Sequence, residues 1–343
     1  MSMTRVLLAG AALCAMASAA AAQERLVINS FGGAYEEAHR RLVIEPFEQM
    51  HNVEIEVVTA YSADALAQLR AQAANPQFDV IHFSGGQEVT AAREGLLEPI
   101  APEALTHYDE LYPFAVEGLA EGRGPVYSVA AVGLLYDTGE FAEAPSSWED
   151  LFDPDLAGAV AIADISNTYG LLALLMLNHV RGGGLDDVQP GMDAVAELLE
   201  SDALIVSTSP EMQQAFASGG ILLAAYAQDY AYTLRQAGLP VAFVQPQEGV
   251  AGVYITANVV AGRPNAELAT QFVDFSLRAE AQAGWAEALR YSPTSTAVEL
   301  PPELAADVLY GAEAIEGLIR FDPDTVNDSR PGWTDAWNRV VAR

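Results

Sequence analysis

From Arg25 onward the chain alternates between two hydrophobic periods. Arg25-Leu-Val-Ile-Asn-Ser30 is a short apolar run of the buried-strand type, and Val53–Val58 sets Val53, Ile55 and Val57 against Glu54 and Glu56. That period of two predicts a second strand. Between them Ala38, Leu42 and Phe47 recur at helical spacing. Ser62 is placed to cap a helix through Ala74 whose inner face carries Leu66, Leu69 and Ala73. Phe78–Phe83 predicts a third strand and Glu88–Glu94 a helix. Strand and helix in alternation predict a parallel sheet covered by helices.

The middle of the chain repeats this rhythm. Val126–Tyr136, Val160–Ala163, Ala203–Val206, Ile221–Tyr226 and Val241–Val244 read as strands. Leu171–Val180, Met192–Glu200, Pro210–Ala217 and Tyr230–Gln236 read as helices, and Ser146-Ser-Trp-Glu-Asp150 opens another with hydroxyl caps and early acids. Val253–Val260 is one more strand, and the remainder is mostly helical. The simplest architecture is α/β with two lobes, the chain crossing between them near 126–132 and 250–260. Residues 23–128 and 257–343 would form lobe 1, and 129–256 lobe 2.

Charge narrows the function. The 343 residues hold 16 cations, all arginine, against 47 acids, a formal charge of −31. Such a surface repels phosphate backbones and anionic lipid, so no nucleic-acid partner is expected. The first 22 residues read as a cleaved secretory leader: Arg5, then an uncharged run from Val6 to Ala22 that ends in Ala20-Ala21-Ala22. The single cysteine, Cys14, lies inside it. An exported chain without disulfides or a second long apolar stretch fits the bacterial periplasm.

Three strand-to-helix junctions carry small or polar residues. They are Ser30, Phe31, Gly32, Gly33 and Tyr35; then Ser84, Gly85 and Gly86; then Asn167, Thr168 and Tyr169. Small residues let a ligand approach the backbone where free N–H groups point outward, although an ordinary tight turn uses the same residues. In open α/β sheets ligands gather at the carboxyl ends of strands. Tyr226, Gln228, Asp229, Tyr230 and Tyr232 crowd the end of another strand. Tyrosines beside one carboxylate suit an amine.

Catalytic and metal patterns are missing from the sequence. It contains no G-x-S-x-G, no H-E-x-x-H and no G-x-x-x-x-G-K, and His39, His51, His82, His107 and His179 lack metal-ligand spacing. Asp322, Asp324 and Asp328 faintly echo a calcium loop, but Asn327 and Trp333 stand where the turn glycine and bidentate glutamate belong. No cofactor and no metal is expected.

In these residues the chain resembles the periplasmic solute-binding proteins of ABC importers, most of all the spermidine/putrescine-binding branch. The resemblance is carried by Ser30-Phe-Gly-Gly-Ala-Tyr35, Phe78-Asp-Val-Ile81, Glu94-Gly-Leu-Leu-Glu98, Val126–Tyr136, Ser147–Gly158, Glu248-Gly-Val250, Glu280-Ala-Gln282 and Tyr291-Ser-Pro-Thr294, in order along nearly the whole chain. It implies the two-lobed periplasmic binding protein fold of type II, joined by hinge strands. It also implies a monomer that grips a small-molecule solute between its lobes and delivers it to an inner-membrane permease driven by a cytoplasmic ATPase.

The resemblance also bears on the site. Polyamine binders of this family use aromatic walls and several carboxylates; Tyr35 and Tyr254 match aromatic positions and Ser84 a polar one. The acidic positions fall at Ile165, Thr168 and Thr256, and a further aromatic position at Ala227. A dication buried without carboxylates is costly. A monoamine or amino-acid-like solute is therefore expected as readily as a polyamine. The alternatives are a ferric-ion binder using Tyr226, Tyr230 and Tyr232, and a secreted hydrolase.

Overall fold

The structure, a computed structural model, describes residues 24–342. The expected leader therefore lies outside the described residues. β1 (Arg25–Ser30) leads into α1 (Gly33–His39), which a π turn at Arg40–Ile44 joins to α2 (Glu45–His51). β2 (Glu54–Thr59), α3 (Ser62–Ala71), β3 (Val80–Ser84) and α4 (Gln87–Arg93) follow. After the short α5 (Pro113–Val116) come β4 (Val126–Asp137), β5 (Val160–Ala163), α6 (Thr168–Val180), α7 (Gln189–Glu200), β6 (Leu204–Val206), α8 (Ser209–Ala217), β7 (Leu223–Ala227), α9 (Gln228–Gln236) and β8 (Val241–Val244). The chain closes with β9 (Ala251–Val259), α10 (Ala266–Ser276), α11 (Ala279–Leu289), the short α12 (Pro302–Ala305) and α13 (Ala312–Glu316), and the long α14 (Pro323–Val341).

The strands run in the order β2-β1-β3-β9-β4-β7-β5-β6, with β8 also on β4. Pairs β1–β2, β1–β3, β5–β6 and β5–β7 are parallel, as the βα alternation predicts. The antiparallel pairs all involve β4 or β9. These two long strands are the crossings. β9 pairs with β3 through 255–259 and with β4 through 251–256, while β4 pairs with β7 only from Val132 onward. Each strand thus begins in one half of the sheet and ends in the other.

The core follows this division. Ile81, Phe83, Leu66 and Leu69 pack on one face of the first half, and Val206, Met212, Phe216 and Tyr226 on one face of the second. A larger cluster, including Leu26, Ile28, Val129, Leu134, Leu174 and Trp285, runs through the crossing strands and joins both. Burying each such side chain stabilises the fold by about 1.5–3 kcal/mol.

Two local expectations change. Ser62 does not cap α3; its Oγ accepts the Ser84 N–H at 2.9 Å, which satisfies a donor freed where β3 ends. The segment after Ser147 does form the capping box with Asp150, yet gives only a 3-10 turn, Trp148–Phe152. Pro154 disfavours helical backbone at Asp153 and stops it.

Candidate functional site

At the first junction α1 turns Tyr35 inward. Its ring stacks on Trp285 with centroids 4.8 Å apart, touches Phe31 at 4.7 Å and faces Tyr291 at 6.5 Å. Its hydroxyl meets that of Tyr127, and burial pushes both phenols up, so both stay neutral. One turn on, the buried His39 sets its ring edge-on to His82 at 4.8 Å. Burial lowers both imidazoles, His82 to about 4, so this wall is uncharged at neutral pH.

The opposite wall comes from β5–α6 and β7–α9. Asn167 caps α6 by accepting the Tyr169 N–H at 2.9 Å. Tyr169 lies edge-on to Tyr226 at 5.1 Å, and Tyr226 edge-on to Tyr230 at 5.2 Å. Asp229, in the first turn of α9, is only 8% exposed. Its Oδ2 accepts from the Tyr291 hydroxyl at 3.4 Å, while Oδ1 has no partner among the described residues. Burial pushes this carboxyl up to about 7, against which the Tyr291 bond and its own helix-start N–H groups act only partly. Tyr291 therefore joins the walls, facing Tyr35 on one side and Asp229 on the other.

The lips also meet. Thr168 Oγ1 donates to the Ser84 carbonyl at 3.4 Å. Gly85, at φ +102°, leaves room for this: a Cβ there would lie 3.0 Å from Thr168 Cγ2. Gly86, at φ +92°, passes under Pro323, and Asn327 Nδ2 donates to its carbonyl at 2.7 Å.

Phe31, Tyr35, Tyr169, Tyr226 and Asp229 thus belong to one buried aromatic cluster, with Ser84, Gly85 and Thr168 at its lips and Asn167 fixing α6; Ser30, Gly32 and Gly33 carry the chain into α1 beside it, where the Cβ of a residue at Gly32 would meet Thr59. Tyr254 and Thr256 are not brought to it. The pairing Phe83↔Thr256 and His82↔Ala257 puts both on the sheet face opposite His82. There Tyr254 packs on Phe114 and lies 5.2 Å from the Arg320 guanidinium, and Thr256 accepts from Asn258. Gln228 is turned to the Asp307 carbonyl at 3.2 Å, and Gly86 lies beneath α14. Sequence reasoning missed Tyr127, Trp285 and Tyr291. The last was visible only as part of Tyr291-Ser-Pro-Thr294.

Chemically, the cage offers several π faces and one carboxylate, the elements that hold an ammonium group. The phenols of the ferric-ion alternative are otherwise engaged. Tyr226 and Tyr230 bond Ser209 at 2.8 and 2.5 Å, and Tyr232 lies under the Arg290 guanidinium at 3.8 Å. Asp322 caps α14 through Thr325, while Asp324 and Asp328 pair with Arg93, so the calcium-like run is a helix start.

The sequence model described as bacterial extracellular solute-binding protein matches residues 43–312. The chain is 24% identical to the gamma-aminobutyric acid-binding protein of Pseudomonas aeruginosa over 344 residues, 96% of this chain and 94% of that one. It is 24% identical to the spermidine/putrescine-binding periplasmic protein of Escherichia coli over 224 residues, 63% of each chain. The crystal structure of an ABC transporter from Clostridium perfringens superposes with a TM-score of 0.78 at 25% identity, covering 92% of this chain and 99% of that one. The fold is therefore the two-lobed α/β fold of periplasmic binding proteins. With the model spanning most of the chain, the protein belongs to the bacterial extracellular solute-binding family and is the substrate-binding component of an ABC transporter for a small solute.

Proposed function

We propose that this receptor acts in the periplasm as a monomer, after cleavage of its leader behind Ala22, and closes lobes 23–128 plus 257–343 and 129–256 over a solute carrying one ammonium group. It hands that solute to an inner-membrane permease and performs no chemistry on it. The observation that carries this reading is Asp229: a buried carboxylate whose Oδ1 has no partner among the described residues, beside Tyr169, Tyr226 and Tyr291. An ammonium replaces the missing partner and gains cation–π contact. A polyamine needs a carboxylate at each end, and the family's acidic positions are here Ile165, Thr168 and Thr256. Ile165 is in the apolar core and Thr256 is bonded to Asn258. The relative that binds gamma-aminobutyric acid, matched over nearly the full chain, points the same way.

The test is calorimetry on residues 23–343 with alkylamines, ω-amino acids, putrescine and spermidine. Solutes with one ammonium should bind more tightly than either polyamine. Asp229→Asn should weaken them at least tenfold, about 1.4 kcal/mol. Spermidine as the tightest ligand, or unchanged affinity in the variant, would overturn the reading.

A further inference from the structure

α9 leaves β7 in the second half of the sheet and meets the chain that follows α11 along its whole length. Gln228 Nε2 donates to the Asp307 carbonyl at 3.2 Å, and Asp229 accepts from the Tyr291 hydroxyl. Tyr232 lies under the Arg290 guanidinium at 3.8 Å, and Arg235 Nη2 donates to both oxygens of Asp307, at 3.0 and 2.7 Å. Positions 228, 232 and 235 fall on one stripe of the helix. The receiving chain is anchored in the other half. α11 packs on α1, Ser292 bridges Val129, and Thr294 Oγ1 donates to the Val126 carbonyl at 2.8 Å, both on the stretch of β4 that pairs with β9.

Arg290 is the corner of this contact. It ends α11 at a φ of +62°, a left-handed conformation that residues other than glycine adopt rarely. Beyond that turn Tyr291 reaches the Asp229 carboxylate, while Arg290 Nε donates to Asp307 Oδ2 at 2.7 Å. Asp307 therefore accepts from one arginine on each side of the boundary, and its carbonyl accepts Gln228. No edge of it is left for a solute. Neither Arg235 nor Arg290 lies within ion-pair distance of another carboxylate among the described residues. Without Asp307 two guanidiniums would meet over Tyr232 with nothing between them, so the attraction would become a repulsion.

We propose that Asp307 is the clasp of a charge latch that seats α9 on the opposite lobe and sets how long the solute is held, from a place the solute does not touch. Asp229 rides on the same helix, so latch and solute draw one element to one neighbour. Asp307 is a positioning residue: it acts through the seating of α9. The inference rests on the closing motion proposed above and is independent of the charge of the solute.

The experiment compares residues 23–343 with their Asp307→Asn, Arg235→Gln and double variants. Small-angle scattering reads the radius without solute, and stopped flow reads dissociation of alkylamines and ω-amino acids. Asp307→Asn should enlarge the solute-free radius and speed dissociation about three- to tenfold, by the same factor for every solute. The order of preference should stay as in wild type. The effects should not add in the double variant, because both changes break one network. A contact that merely supports the fold would lower the melting temperature and leave radius and dissociation as they are. A radius equal to wild type, dissociation within twofold of it, additive effects or a loss confined to one solute class would overturn the proposal. If Asp307→Asn does not fold, Arg235→Gln leaves Asp307 paired with Arg290 and carries the same readings. If no solute of either series binds, the radius alone decides. Enlarged variants beside a wild type that solute does not compact would keep the latch and reject solute-driven closure. A wild type that solute compacts, with variants identical to it, would reject the latch alone.

Discussion

With Asp229 as the proposed ammonium partner, affinity for an amine should depend on pH across the neutral range. Its carboxyl is pushed up to about 7 by burial, from an ordinary 3.8, and only its ionised form attracts an ammonium. About nine-tenths is ionised at pH 8, one-tenth at pH 6 and one-hundredth at pH 5. Affinity should therefore fall about tenfold from pH 8 to pH 6 and a further tenfold by pH 5, about 1.4 kcal/mol for each of the two steps. Binding at pH 7 should release about half a proton as the ammonium draws the carboxyl down. The free receptor responds in the opposite sense. Because the folded group is raised above its unfolded value, the native state holds more protons than the unfolded chain between about pH 4 and pH 7. Its stabilising effect is complete below about 4 and is lost as pH rises through 7. Raising pH thus loosens the empty protein while tightening the complex, and the ligand-induced thermal shift should grow. The tyrosines around Asp229 are pushed up and the nearby histidines pushed down, so these remain neutral throughout. Glu88, also raised to about 7, lies on α4, and Asp229→Asn separates its effect. Calorimetry at pH 5, 6, 7 and 8 in two buffers of different ionisation enthalpy reads both affinity and proton release. Affinity changing less than twofold between pH 6 and 8, or the same slope in Asp229→Asn, would refute the reasoning.

Two further perturbations test the frame. Gly85→Val adds a side chain 3.0 Å from Thr168 Cγ2 at a φ of +102°; it should cost about 1–3 kcal/mol of stability and hold the lips apart, seen as a larger radius in small-angle scattering with saturating solute. Asp79→Asn leaves the Arg263 guanidinium without its fully buried partner and weakens the bond from the Val27 N–H. It should lower stability by about 3–5 kcal/mol in denaturant melts while leaving the order of solute preference unchanged.

The strands and their crossings were legible because continuous apolar runs such as Val126–Tyr136 leave few alternatives, and no strand end moved by more than two residues. The cage was half legible. Tyr35, Tyr226 and Asp229 stand beside strand ends, where position alone marks them. Tyr127 sits inside an apolar strand and Trp285 inside an apolar helix, and in sequence such a ring is indistinguishable from any core aromatic. Tyr254 and Thr256 matched family positions, but alignment does not say which face of β9 a side chain takes; the register with His82 and Phe83 does.

The ties across the lips explain why solute should drive closure. The bonds of Thr168 to Ser84 and of Tyr291 to Asp229 are both 3.4 Å long, at the outer limit for such bonds. Each contributes less than the usual 0.5–1.5 kcal/mol or so. Against them stands the buried Asp229 carboxylate, whose Oδ1 has no partner among the described residues. Firmer ties join the same halves, among them Trp337 to Asp164 at 3.1 Å, Gln228 to the Asp307 carbonyl at 3.2 Å and Arg235 to Asp307 at 2.7 Å, so the two long bonds are the weakest part of the contact. A solute that satisfies Asp229 lowers the closed state by its differential affinity and shifts the population accordingly. At a hundredfold its dissociation constant it adds about 2.7 kcal/mol, more than the two weak lip bonds together supply. On the proposed reading, the unpartnered carboxylate that is costly to bury empty is what selects the solute.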